Sequence, residues 1–215
     1  MRTRSALICL ASAALLPAIA TPALSAQPDV GNFRANLAPV PHDSSADNGS
    51  SVSGHARVIT QDDRARVVVT AHGLSPDMPH VMHIHGGTVA AAECPGIGRA
   101  DDITDDGLIE TLEGLPDYGG ILVSFTTSGD TSPDSALDLG RAPVANHGGN
   151  LTFQRSFDIP TDVRQDLDDL HVVIHGEDLD NNGAYDGPTT GLGVPLEAEL
   201  PVACGELNGH FTGGH

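Results

Sequence analysis

The segment Pro79-His80-Val81-Met82-His83-Ile84-His85-Gly86 carries the densest set of ligating side chains in the chain. In a strand, residues two apart face the same side and lie about 6.5–7 Å apart along the chain. His83 and His85 then offer two imidazoles to one ion, while His80 falls out of phase and faces elsewhere. A second segment, Leu170-His171-Val172-Val173-Ile174-His175, puts His171 and His175 on one face. They stand roughly 13 Å apart as strand residues, too far to share an ion. His175 lies at the strand's end, where sites gather. Three imidazoles from His83, His85 and His175 suit Cu, Zn, Ni or Fe, and do not suit Ca or Mg. The competing reading is solvated histidines at a sheet edge.

Hard-cation chemistry has its own candidates. The stretch from Asp102 to Glu113 follows the calcium-loop pattern, with Asp102, Thr104, Asp106, Glu110 and Glu113 as oxygen donors and Gly107 at the sharp turn. Thr104 is a weaker ligand than the acid or amide usual at its position. A partial match runs from Asp178 to Asp186, with Asp178, Asp180, Asn182 and Asp186 as donors and Gly183 at the turn, but Thr189 replaces the closing glutamate. Both stretches also read as acidic turns solvated by water. Asp178 follows His175 by three residues and has a second candidate role, as a carboxylate that orients a ligand imidazole.

Other chemistries find no support. The chain lacks a Gly-x-Ser-x-Gly nucleophile turn, a phosphate loop and a dinucleotide glycine pattern after a strand. Paired acids such as Asp62-Asp63 and Asp168-Asp169 lie in turns, where neighbouring charges are solvated.

The elements that must position these residues are short strands. Asn32 to Val40 reads as a first edge strand. Gly54 to Ile59 and Arg64 to Thr70 read as two strands around Gln61-Asp62-Asp63, by alternation of apolar and polar residues. Val81 to His85, Gly120 to Thr127, Asn150 to Phe157, Leu170 to His175 and Val194 to Cys204 complete the set. Helical spacing is faint, at Leu108 to Gly114 and Thr161 to Asp169. Short strands with turn-rich joints predict an all-β, antiparallel Greek-key β-sandwich or barrel of about eight strands, with long loops and one disulfide.

Composition sets the compartment and excludes partners. The chain has 215 residues, no Trp and a net charge of −19. That charge argues against nucleic acid and anionic membranes as partners. Arg2 and Arg4, the apolar run Ala6 to Ala20 and the small residues Ala23, Ser25 and Ala26 have the three-part build of a secretory signal peptide over residues 1–26. The apolar run is short for a membrane span, which needs about 20 residues. Cleavage near Ala26 predicts an exported protein, secreted or periplasmic, with no membrane insertion. It leaves Cys94 and Cys204, which pair in an oxidising compartment. Such a bridge closes a long loop, worth about 4–5 kcal/mol by chain entropy. The remaining domain runs over residues 27–207, with a polar lead-in at 27–53, and a Gly-rich tail at 208–215 is expected to be flexible.

The order of these segments resembles the Cu/Zn superoxide dismutases over about residues 50–207 and, with it, a group of secreted bacterial proteins with a dismutase-like domain. His80-Val81-Met82-His83-Ile84-His85 is similar to that family's copper-ligand strand, His-Gly-Phe-His-Val-His. Val172-Val173-Ile174-His175 is similar to its later copper-ligand strand, and Ala203-Cys204-Gly205 to its C-terminal disulfide segment, with Cys94 where the partner cysteine belongs. The resemblance implies copper on His83, His85 and His175, with His80 behind them, and superoxide as substrate.

The departures limit what carries over. Pro95 to Asp138 holds no histidine, so the family's zinc site and bridging histidine have no counterpart. His147, in a turn, is a poor substitute, and His210 and His215 lie in the tail. Pro201 stands where the family carries its anion-guiding arginine, leaving Arg99 and Arg141 as stand-ins. Three functions stay open: copper-dependent disproportionation of superoxide, copper binding or buffering without turnover, and a calcium-stabilised extracellular binding module.

Overall fold

A computed structural model describes residues 29–43, 45, 51–88 and 90–212. The expected signal peptide at residues 1–26 and the end of the tail at 213–215, including His215, lie outside these residues.

Alternating apolar residues build the first half of a curled sheet. Strands β1 (Val30–Pro39), β2 (Ser53–Gln61) and β3 (Arg64–His72) each bury every second residue and leave the others toward water. Asp62 completes the tight β2–β3 turn at φ 52°, a left-handed conformation that aspartate tolerates better than most residues. Strand β6 (Leu151–Asp158) pairs with β3 in full register and repeats the alternation. The inward set, including Phe33, Val58, Val67, Val69, Phe153 and Phe157, forms the main core.

The second half has no solvent face. Strands β4 (Met82–Gly86), β7 (His171–His175) and β8 (Pro201–Glu206) are buried on both sides, apart from Glu206. Ile84, Val172 and Ile174 point into the main core. On the opposite face, Val173 and Cys204 join a second cluster with Ala100, Ile109 and Tyr118. That cluster belongs to the long segment between β4 and β5 (Gly120–Ser124), which folds over the outside of the sheet. Cys94 fastens the segment to β8 through a disulfide with Cys204, the Cα atoms 5.8 Å apart.

All strands pair antiparallel in the order β5-β4-β7-β8-β1-β2-β3-β6, the interleaving of a Greek key, and β9 (Asn208–Thr212) adds to β1. The predicted all-β antiparallel class and the Cys94–Cys204 bridge are therefore present. The sheet's two edges, β5 and β6, are not paired with each other, but the guanidinium of Arg155 on β6 donates to the carbonyls of Thr126 and Gly129 just past β5.

Three expectations need correction. β1 is a central strand, because β8 and β9 take the edge that the sequence left open. Residues 208–212 are strand: Phe211 packs its ring on Phe33 at 5.1 Å, which anchors a segment expected to be flexible. Val194 to Cys204 is not one strand, since Pro195 and Pro201 bracket a short helix α3 (Leu196–Glu199) before β8. The faint helical spacings become α1 (Thr111–Tyr118) and α2 (Thr161–Gln165). No helix among the described residues is long and apolar enough to cross a membrane.

Candidate metal centre

His83 and His85 stand two apart on β4 and share its outer face, as the strand period requires. Their neighbour β7 pairs with Met82↔Ile174 and His85↔His171, so His175 lies just past the paired stretch, donating its backbone N–H to Val81. A register shift between Ile174 and His175 relative to β8 turns the strand's end toward the same place. The three rings meet with centroid separations of 5.5 Å (His83–His85), 5.1 Å (His83–His175) and 5.5 Å (His85–His175). All three are buried, and one ligand atom from each lies within 4.8 Å of the others.

Backbone carbonyls decide which nitrogen each ring presents. A carbonyl only accepts, so the nitrogen facing it carries the proton. His85 donates Nδ1–H to the Gly119 carbonyl at 2.9 Å, and His175 donates Nδ1–H to the Glu199 carbonyl at 2.8 Å. Both rings therefore present a bare Nε2, and these two atoms face each other at 3.4 Å. His83 is turned the other way: its Nε2–H goes to the Ala136 carbonyl at 2.9 Å, and its buried Nδ1 has no partner. Each of the three clustered rings thus keeps one nitrogen free of a carbonyl partner, which fits a metal cation.

Burial keeps the rings neutral. It is the first cause that lowers the basicity of each, and the neighbouring imidazoles lower His83 and His85 further. His85 falls to about 3 and His175 to about 4. Neutral imidazole is the form that binds metal.

The supporting residues were invisible in the sequence. Gly119 follows α1 at φ 81°, and a Cβ there would stand 2.3 Å from the Gly86 carbonyl oxygen, so only glycine brings the acceptor to His85. Thr111 donates its hydroxyl to the Glu199 carbonyl at 2.6 Å and thereby fixes the acceptor of His175. Tyr118 packs its ring 4.5 Å from that of His85 and donates to the Thr111 carbonyl. Turn signals mark none of these roles, because backbone carbonyls have no residue signature.

The remaining predicted residues fall as follows. His80 is buried behind the triad and touches it through the backbone, with Nδ1 3.2 Å from the His175 carbonyl and Nε2 3.1 Å from that of Ser75. His171 is buried opposite His85 and does not join the group. His147 is exposed and bonded to Asp77.

Asp178 bonds to no imidazole among the described residues; its oxygens accept the Asn182 and Gly183 amides. In the first acidic loop the donors do not converge, because other partners take them. Glu113 accepts from Ile103, Thr104 and Glu110 amides and closes a capping box with Glu110 at the start of α1. Asp102 pairs with Arg99, Asp106 caps Leu108, and Thr104 donates to Glu110.

In the second loop, Asp178 and Asp180 come together with the buried Glu197, which the sequence did not single out. Asn182 and Asp186 bond to one another instead, and the Asp186 amide donates to Glu197. No protein-family model matches the chain, and no curated protein matches it.

Proposed function

We propose that this protein is exported, holds one copper ion through His83 Nδ1, His85 Nε2 and His175 Nε2, and slowly disproportionates superoxide. The observation that supports this most directly is the unpartnered, buried Nδ1 of His83 beside two Nε2 atoms held 3.4 Å apart. An all-imidazole set places copper at the top of the divalent affinity order and tolerates both of its common charges. Copper in that position supplies a one-electron couple, by which one superoxide is oxidised to dioxygen and another, taking up two protons, is reduced to hydrogen peroxide.

The chain's own residues hold the nitrogens, fix their tautomers through three carbonyls and keep bulk water away. The Cys94–Cys204 bridge supports an oxidising compartment. Copper binding without turnover is the second reading, favoured by a specific observation. Neither stand-in arginine is free at the mouth: Arg99 is held by Asp117 and Asp102, and Arg141 by Asp138 and the carbonyls of Ser128 and Asp130.

Loading purified protein with Cu(II) tests the proposal. One equivalent should bind with nitrogen splitting in the spin-resonance spectrum, and the His83→Ala/His85→Ala double variant should lose it. Copper-dependent superoxide consumption should be measurable and well below the diffusion limit. Binding that survives the double change overturns the site, and binding without consumption leaves the copper-holding reading.

A further inference from the structure

Glu199, the last residue of α3, is fully buried, and only one of its carboxylate oxygens is bonded. Oε2 accepts the Thr111 amide at 3.0 Å, while Oε1 meets no donor. Thr190 lies against the carboxylate but gives its hydroxyl to the Val194 carbonyl at 3.3 Å. The neighbouring glutamates are better served: Glu113 takes three amides, and Glu110 takes the Thr104 hydroxyl and closes the capping box. No arginine pairs with Glu199 among the described residues, and the chain has no lysine. A buried carboxylate in this condition destabilises the fold unless a cation stands near it.

The metal centre is where such a cation belongs. Thr111 joins the two, since its amide holds the carboxylate and its hydroxyl oxygen lies 3.2 Å from His175 Nδ1. The main-chain carbonyl of Glu199 takes the His175 proton. Tyr118, whose ring stands 4.5 Å from that of His85, feels the same charge: burial first, and Glu199 next, push its phenol up. Glu199 is not itself a ligand, because the converging atoms come from His83, His85 and His175. Those three neutral rings leave an ion's charge uncompensated, and no acid lines the cavity above them.

We infer that Glu199 is the counter-charge of the metal centre, acting through space to favour a doubly charged ion over a singly charged one. This rests on the copper reading above. With Cu(II) the carboxylate offsets one of the two charges and leaves one to draw in superoxide. With Cu(I) it leaves the centre neutral. At roughly 10 Å and an effective dielectric near 20, one carboxylate favours the dication by about tenfold in affinity.

Glu199→Gln tests this, because the amide keeps the shape and still accepts from Thr111. Copper-loaded protein whose nitrogen splitting has first been verified is taken through its Cu(II)/Cu(I) couple with mediator dyes, at low and high salt. The variant should keep the splitting and show a potential about 59 mV higher, the equivalent of tenfold for one electron. Glu199→Met should give the same rise, and Glu199→Asp, which keeps the charge, should stay near the unmodified protein. The rise should persist at high salt, because a buried charge is screened little. A residue that only supports the fold would weaken both ions alike and leave the potential where it was. An unchanged potential in the Gln and Met variants, an equal rise in Glu199→Asp, or a rise that salt abolishes overturns the inference alone. Absence of nitrogen splitting in the unmodified protein overturns it together with the copper reading.

Discussion

The Nε2 atoms of His85 and His175 face each other across 3.4 Å, and the carbonyls of Gly119 and Glu199 hold both protons on the far side of the rings. Two lone pairs aimed at one another in a buried space repel. A cation held there would turn that repulsion into bonds to His85 and His175, and His83 would be the third ligand.

Metal should therefore raise thermal stability strongly. At a concentration a thousandfold above its dissociation constant, a ligand specific for the folded state adds about 4 kcal/mol. We expect Cu(II) to raise the melting midpoint by several degrees, and His175→Ala to remove the rise. A midpoint that ignores copper in calorimetry would show that the lone pairs do not act as a ligand set.

Gly119→Ala should damage the centre from outside it. The position holds φ 81°, and the new Cβ would press on the Gly86 oxygen at 2.3 Å. Such strain costs about 1–3 kcal/mol. Moving the backbone to relieve it withdraws the carbonyl that orients His85, so copper affinity should fall about tenfold or more. Denaturant unfolding and copper titration would separate the two effects. Unchanged copper affinity in a destabilised variant would show that the Gly119 carbonyl does not set the ring.

The fold class and the triad were legible because both depend on side-chain period. Alternation along β1, β2, β3 and β6 reports a face in water and a face in the core, and the spacing of His83 and His85 reports one face directly. β4, β7 and β8 lack alternation because they are buried on both sides, and their histidine-bearing outer face is covered by distant segments, one of them tied to β8 by a disulfide across a sequence separation of 110. The first acidic loop misled for a related reason. Carboxylates at calcium-loop spacing serve equally as amide acceptors, and Glu113 and Asp178 are used that way. The position of β9 was hidden as well, since the strand that receives it, β1, looks like an edge until the tail arrives.

Acid should unfold the metal-free protein well before it protonates ordinary carboxylates. His85 and His175 titrate at about 3 and 4 in the folded state against 6.5 when unfolded, so between those values the unfolded chain binds more protons. Stability then falls as pH falls through that window and is complete only above about 6.5. At ~1.4 kcal/mol per tenfold difference in proton affinity, these two rings alone contribute on the order of several kcal/mol. His83 and His80 are lowered too, and add in the same direction. Glu110 and Glu199 act oppositely, because burial first, and neighbouring acids after it, raise them, so protonation favours the folded form just above pH 4.5. With His171, also lowered first by burial, five lowered histidines against two raised glutamates leave the histidines in control. Urea unfolding of the apoprotein from pH 7.5 to 4.5 should show a monotonic loss of stability, and His175→Gln should flatten the slope. Stability that is level or rising toward pH 5 would mean that the rings are not held neutral by burial.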